Sequence, residues 1–192
     1  MMRIGIVIGS TRPGRVGEGV AQWVHKQATD RGDAIFEIVD LADFDLPHLD
    51  EPVPAAMSAD YQHDHTKRWA RAVAACDGFV FVVPEYNHSM NGALKDALDF
   101  LYREWKNKAA GFVGYGLVGA TRAVEQLRLV LAELHVATVR DQLTLSSFTD
   151  FGPDGSCAPA EHHTDILARL LDQVVAWSTA LAPLRAASTP GK

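Results

Sequence analysis

Five short apolar runs rich in β-formers recur along the chain, and each is followed by a stretch with apolar residues at helical spacing. The runs are residues 4–8 (IGIVI), 35–39 (IFEIV), 79–83 (FVFVV), 112–118 (FVGYGLV) and 136–145 (VATVRDQLTL). The helical stretches are marked by Val16, Val20, Trp23 and Val24, then by Trp69, Val73 and Cys76, then by Leu94, Leu98, Leu101 and Trp105. Val124, Leu127, Val130 and Leu134 mark the fourth, and Ile166, Leu170, Val174 and Leu181 the fifth. Parallel neighbours need crossover helices, and strands this apolar call for burial on both sides. The alternation therefore predicts an α/β, doubly wound, five-stranded parallel sheet with helices on both faces.

A chain of 192 residues fits one domain, expected over residues 1–182, with a disordered tail over 183–192 (PLRAASTPGK). The net charge of −6 argues against a nucleic-acid or anionic-membrane surface. The acids concentrate in residues 33–66, where there are nine Asp and Glu and no Lys or Arg. Cys76 and Cys157 stand in no metal-binding or disulfide pattern, which suits a cytoplasmic protein, and neither a signal segment nor a membrane span is expected.

Open sheets of this kind bind ligands at the carboxyl ends of the strands, so the loops after strands one, three and four matter most. The first, in "IGIVIGSTRPGRVGEGVAQWV", brings glycines, the hydroxyls of Ser10 and Thr11, and the charges of Arg12 and Arg15 to the start of a helix through Val16 and Gly17. That combination points to a phosphate. Val16 stands where a P-loop has its magnesium-binding hydroxyl, and the glycine spacing is not a dinucleotide fingerprint, so a terminal monophosphate remains. The second loop, "PEYNHS", stops its strand at Pro84 and sets Glu85, Tyr86, Asn87, His88 and Ser89 in a polar, aromatic mouth before a helix starting near Asn91 or Gly92. A flat heteroaromatic ring fits such a mouth.

"GSTRPGRVGEGVA" together with "PEYNHSMNGALKDALDF" resembles the NADPH-dependent FMN reductase family, and "LPHLDEP", "HTKRW" and "RAVEQLR" extend the resemblance over nearly the whole chain. The resemblance implies a flavodoxin-like sheet of order 2-1-3-4-5 and an enzyme passing two electrons from NADPH or NADH through FMN to a flavin, quinone or azo compound. Ser10, Thr11, Arg12, Arg15, Val16 and Gly17 would hold the FMN phosphate. Pro84 to Ser89 would line the isoalloxazine, with Tyr115, Gly116 and Gly119 of "GYGLVGATRAVEQL" as the third contact. Leu117, Ala120 and Thr121 stand where small glycines are common in the family, and Asn91 where it often has proline. No side chain is assigned a catalytic role, because the flavin carries the chemistry. The resemblance also implies a homodimer or homotetramer, and because aromatic residues are enriched at interfaces the helix 91–105, with Tyr102 or Trp105 beside Phe100, is expected to contribute to it.

Two other readings of the same fold stand beside this one: a flavodoxin-type electron carrier without NAD(P)H turnover, and a flavin-free binding module. His48, His63 and His65, near Asp50, Asp60 and Asp64, lack metal-site spacing, so no metal is expected. His162 and His163 are expected at the surface. Glu85 is expected to act structurally rather than as a base.

Overall fold

The computed structural model describes residues 1–188. Five parallel strands form one sheet in the order β2-β1-β3-β4-β5, with β1 Arg3–Ile8, β2 Ile35–Asp40, β3 Gly78–Pro84, β4 Lys108–Gly116 and β5 Val136–Ser146. The helices are α1 Gly17–Thr29, α2 Asp64–Ala74, α3 Gly92–Asp99, α4 Thr121–Glu133, α5 His162–Ala180 and α6 Ala182–Ser188. Period-two alternation divides each strand between two cores. Ile4, Ile6, Ile8, Val80 and Val82 face the layer containing Val20 and Val24 of α1 and Leu167, Leu170 and Val174 of α5. Val7, Phe79, Phe81 and Val83 face the layer of α2, α3 and α4, where Trp69, Leu94, Leu98 and Leu127 pack. The most enclosed strand is β3, buried along all seven residues. Its continuous apolar run follows from having β1 and β4 beside it and helices above and below.

Four expectations are corrected. The third helix does not run to residue 105: α3 ends at Asp99, and Arg103–Trp105 form a separate 3-10 turn. Trp105 is fully buried, donates its indole N–H to the Leu98 carbonyl at 3.2 Å and packs at 5.1 Å from Phe79, so it belongs to the core rather than to an interface. The expected disordered tail begins as helix α6, where Arg185 donates to the Asp77 carboxylate at 2.9 Å and to the Ser178 carbonyl at 2.9 Å. Residues 189–192 of that tail lie outside the described residues. His163, expected at the surface, is buried, and its Nδ1 lies 3.3 Å from the carboxylate of Asp150.

Strand β4 also differs at its ends. It starts at Lys108 and stops at Gly116, so Leu117 and Val118 belong to the following loop. Among the described residues no helix is long and apolar enough to cross a membrane.

Candidate functional site

With β1 beside β3, the strand order reverses between these two, and the loops leaving their carboxyl ends share one crevice with the loop after β4. Side chains tie the three loops together in pairs. The first tie is made by Ser10, which is buried and shares a hydrogen bond of 3.1 Å between its hydroxyl and that of Tyr86. The second is Asn91, whose Nδ2 donates to the Gly9 carbonyl at 2.6 Å while its Oδ1 accepts from the Leu94 N–H at 3.0 Å. Asn91 is thus the N-cap of α3 and a strut to the end of β1.

The third tie joins the loops after β3 and β4. Glu85 accepts from the guanidinium of Arg122 and from the Arg122 backbone N–H at 3.1 Å, and Arg122 also donates to His88 Nε2 at 2.7 Å. The Arg122 guanidinium holds the Glu85 carboxyl below its ordinary range, against the opposing effect of burial. At the N-terminus of α4 that carboxylate takes the place of a side-chain cap, which Ala120 cannot supply.

The ring loop has a definite backbone form. Tyr86 and Ser89 exchange backbone hydrogen bonds of 2.9 and 3.1 Å, and the two residues between them have positive φ, 50° at Asn87 and 71° at His88. Two successive positive φ values make a type I′ turn, a conformation that Asn tolerates better than most non-glycine residues. The loop after β4 is shaped by Gly116, whose carbonyl accepts from Gly119 at 3.3 Å and from Ser147 at 3.0 Å. A Cβ on Gly119 would stand 2.5 Å from Thr144 Cβ, and its φ of +62° disfavours a side chain as well. Leu117 turns outward and is 70% exposed, so its bulk lies at the rim.

In the first loop the two arginines have different surroundings. Arg15 is largely buried, and its guanidinium contacts the carboxylates of Asp40 and Glu18, each at 2.6 Å. It ties the loop to the end of β2. Arg12 is exposed and pairs with no acid among the described residues. Thr11 is exposed beside it, while Val16 and Gly17 lead into α1, which begins without a side-chain cap. The first N–H groups of α1 are therefore available to an anion. A Cβ on Gly17 would stand 2.6 Å from the Tyr115 hydroxyl, so this glycine lets the ring come close. Burial, reinforced by nearby Tyr86, pushes the Tyr115 phenol above its ordinary range, while Arg12 and Arg15 oppose the shift. A separate pocket of about 270 Å³ opens on the β2 side, lined by Thr11, Leu41, Ala42, Asp45, Leu46 and Ala93.

These residues fit a phosphate-bearing cofactor with a flat ring: an uncapped helix terminus, hydroxyls and a free guanidinium at one end, and a rigid polar turn at the other. The residues expected at the site lie in these three loops or at the ends of the elements that carry them: Pro84 closes β3, Tyr115 and Gly116 close β4, and Gly17 opens α1. Sequence reasoning missed Asp40 and Arg122, and it gave Arg15 a phosphate role without seeing its two carboxylate partners. Asp40 closes the acidic β2 run, and Arg122 follows Thr121 in the quoted loop, but no local spacing pairs either with its partner.

Residues 2–150 match the family model described as NADPH-dependent FMN reductase. An NAD(P)H-dependent FMN reductase, ntnL, from a Nectria species is 39% identical over 78% of this chain and 79% of its own length. An FMN-dependent NADPH-azoreductase of Staphylococcus saprophyticus is 30% identical over 90% of this chain and 93% of its own. Among solved structures, the flavoenzyme NAD(P)H:(acceptor) oxidoreductase FerB of Paracoccus denitrificans superposes with a TM-score of 0.74 at 23% identity, covering 94% of this chain and 98% of that one. The match over most of the chain, its sheet order and the three braced loops lead to one conclusion: the chain belongs to the NADPH-dependent FMN reductase family.

Proposed function

We propose that this protein is an NAD(P)H-dependent flavin oxidoreductase, a single domain that takes in α6 beyond the expected end at residue 182, and that it holds FMN across the carboxyl ends of β1, β3 and β4. When bound, FMN supplies the redox chemistry, accepting a hydride from the nicotinamide and passing two electrons to a small acceptor. The protein's residues bind, orient and exclude. Arg12, the hydroxyls of Ser10 and Thr11, and the N–H groups opening α1 hold the phosphate, while Arg15 keeps that loop in place through Asp40. The turn Tyr86–Ser89 presents the N–H groups of Asn87 and His88, which take no part in the turn's own hydrogen bonds, to the ring edge. Gly116 and Gly119 would let the backbone after β4 approach the ring, and Tyr115, packed against Gly17, would support the loop that opens α1.

The acceptor in this reading is a quinone, an azo compound or a free flavin, as the names of the relatives suggest. Leu117, Val118 and Phe148 are exposed at this end of the sheet, and an apolar rim of this kind supports a homodimer or homotetramer whose second protomer covers the mouth. Two unpaired cysteines support a cytoplasmic placement. The observation that carries the functional reading is the unpaired Arg12 beside the uncapped start of α1.

The test compares FMN with riboflavin, by fluorescence quenching, on wild type, Arg12→Ala and Arg15→Ala, together with NADH and NADPH oxidation by the flavin-loaded protein. A charge-assisted hydrogen bond is worth about 1.5–3 kcal/mol, so Arg12→Ala weakens FMN binding by roughly 10- to 150-fold and leaves riboflavin unchanged. Arg15→Ala weakens both flavins, because it loosens the loop. Parallel loss of both flavins in Arg12→Ala refutes the phosphate assignment, and a flavin-loaded protein that oxidises neither nucleotide refutes the enzyme reading.

A further inference from the structure

The opposite end of the sheet holds a cavity of about 860 Å³, bounded by the start of β1, the C-terminal turn of α2, the 3-10 turn Arg103–Trp105 and helix α6. Its apolar wall is Met2, Ala74, Cys76, Ala182 and Ala186. Its charged lining has four cations, Arg103, Lys106, Lys108 and Arg185, and two acids, Asp77 and Glu104. Both acids are already engaged. Asp77 accepts from Arg185 and from the Arg3 backbone N–H, each at 2.9 Å, and Glu104 accepts from the Tyr61 hydroxyl at 2.8 Å.

Lys108 is the unusual member. Its side chain is 5% exposed, and its Nζ donates to the Val73 carbonyl at 2.6 Å near the end of α2 and stands 5.5 Å over the Phe79 ring. No carboxylate pairs with it among the described residues. A buried ammonium with one hydrogen bond and no counter-ion is costly, and burial accordingly pulls its pKa down to about 8. The α2 carbonyl accounts for one of its three donors. Arg103 and Lys106 likewise pair with no acid among the described residues, Lys106 resting 4.5 Å from the Tyr102 ring centroid.

We propose that this cavity is a second ligand site, distinct from the flavin crevice, for an organic carboxylate with an apolar body. The carboxylate pairs with Lys108, while Arg103 and Lys106 add attractive charge to the lining, and the body lies on the wall of Met2, Cys76, Ala182 and Ala186. An inorganic anion is too small for the volume and leaves that wall wet. A dianion meets the carboxylates of Asp77 and Glu104.

Isothermal titration calorimetry of the FMN-loaded protein with 2-naphthoate, and with its neutral isostere 2-naphthamide, tests the site. Naphthoate gives saturable one-site binding without changing the flavin absorbance, and naphthamide binds at least tenfold more weakly. Lys108→Met weakens naphthoate by tenfold or more while FMN is retained. Ala186→Phe, which puts bulk on the apolar wall where the naphthalene body lies and leaves Lys108 in place, weakens naphthoate binding by tenfold or more and decides the matter should Lys108→Met fail to fold. Absence of saturable binding, equal binding of the amide, an affinity unchanged in Ala186→Phe, or a flavin spectrum that shifts along the naphthoate isotherm each overturns the proposal.

Discussion

Replacing Asn91 by alanine removes two bonds at once, and their magnitudes can be worked separately. The N-cap bond to Leu94, at 3.0 Å, is worth about 1 kcal/mol by the usual cost of an Asn-to-Ala cap change. The bond to the Gly9 carbonyl, at 2.6 Å, is buried, and its loss strands that acceptor at a cost of about 1–3 kcal/mol. Asn91→Ala is therefore destabilised by about 2–4 kcal/mol. Asn91→Ser keeps a capping oxygen but cannot reach Gly9, so it loses only the second share, and the difference between the variants isolates the cap. Urea unfolding followed by circular dichroism, on flavin-free protein, measures both. Because the same side chain ties the first loop to the ring loop, FMN and riboflavin affinities fall together in Asn91→Ala. A variant within 0.5 kcal/mol of wild type, or an FMN affinity that falls while riboflavin's holds, refutes the strut.

Asn87→Val places a β-branched residue at a φ of 50°, which costs about 1–3 kcal/mol and unravels the turn, so the flavin spectrum shifts and reduction by NAD(P)H slows in stopped-flow measurements. Glu85→Gln loses the charged clasp on Arg122, and since that guanidinium is 42% exposed, the loss is only about 1 kcal/mol in thermal melts near neutral pH. The folded-state pKa of Glu85 is depressed, so its contribution is present above the ordinary carboxylate value and is lost as pH falls through the folded one. Melting curves of wild type and Glu85→Gln therefore converge in acid, and a gap that stays constant to pH 2 contradicts the assignment.

The parts of the structure legible in the sequence were those encoded locally. The buried run Phe79–Val83, the stop at Pro84 and the helix start near Asn91 or Gly92 were read from adjacent residues, and the resemblance carried by the quoted motifs implied the sheet order. Pairings between distant residues were not legible. Arg15 meets Asp40, Glu85 meets Arg122 and Asn91 meets Gly9 only once the sheet has brought the loops together, and no spacing records that. The apolar spacing of Leu94, Leu98, Leu101 and Trp105 reads as one helix because all four are buried, although the chain leaves the helix after Asp99. The first residues of β4, Lys108, Ala109 and Ala110, have weak strand propensity and were hidden by it. Likewise the short, Pro-bounded stretch after Leu181 read as a tail, since the bond that holds α6, from Arg185 to Asp77, joins residues far apart in the sequence.

The position of β1 in the middle of the sheet has a consequence for how the chain is made. Once Asp40 has been synthesised, β1 can pair with β2, but its other edge stays open until β3 is complete at Pro84. At typical synthesis speeds that is roughly 2 to 9 seconds. During this interval a strand carrying Ile4, Ile6 and Ile8 offers unpaired backbone and apolar side chains to any other strand nearby. Crowded polysomes and rapid overexpression therefore put this protein at risk before its ring loop exists, and slowing synthesis over Leu41–Pro84 worsens the yield, as does slowing it over the next stretch, until β4 covers the open edge of β3.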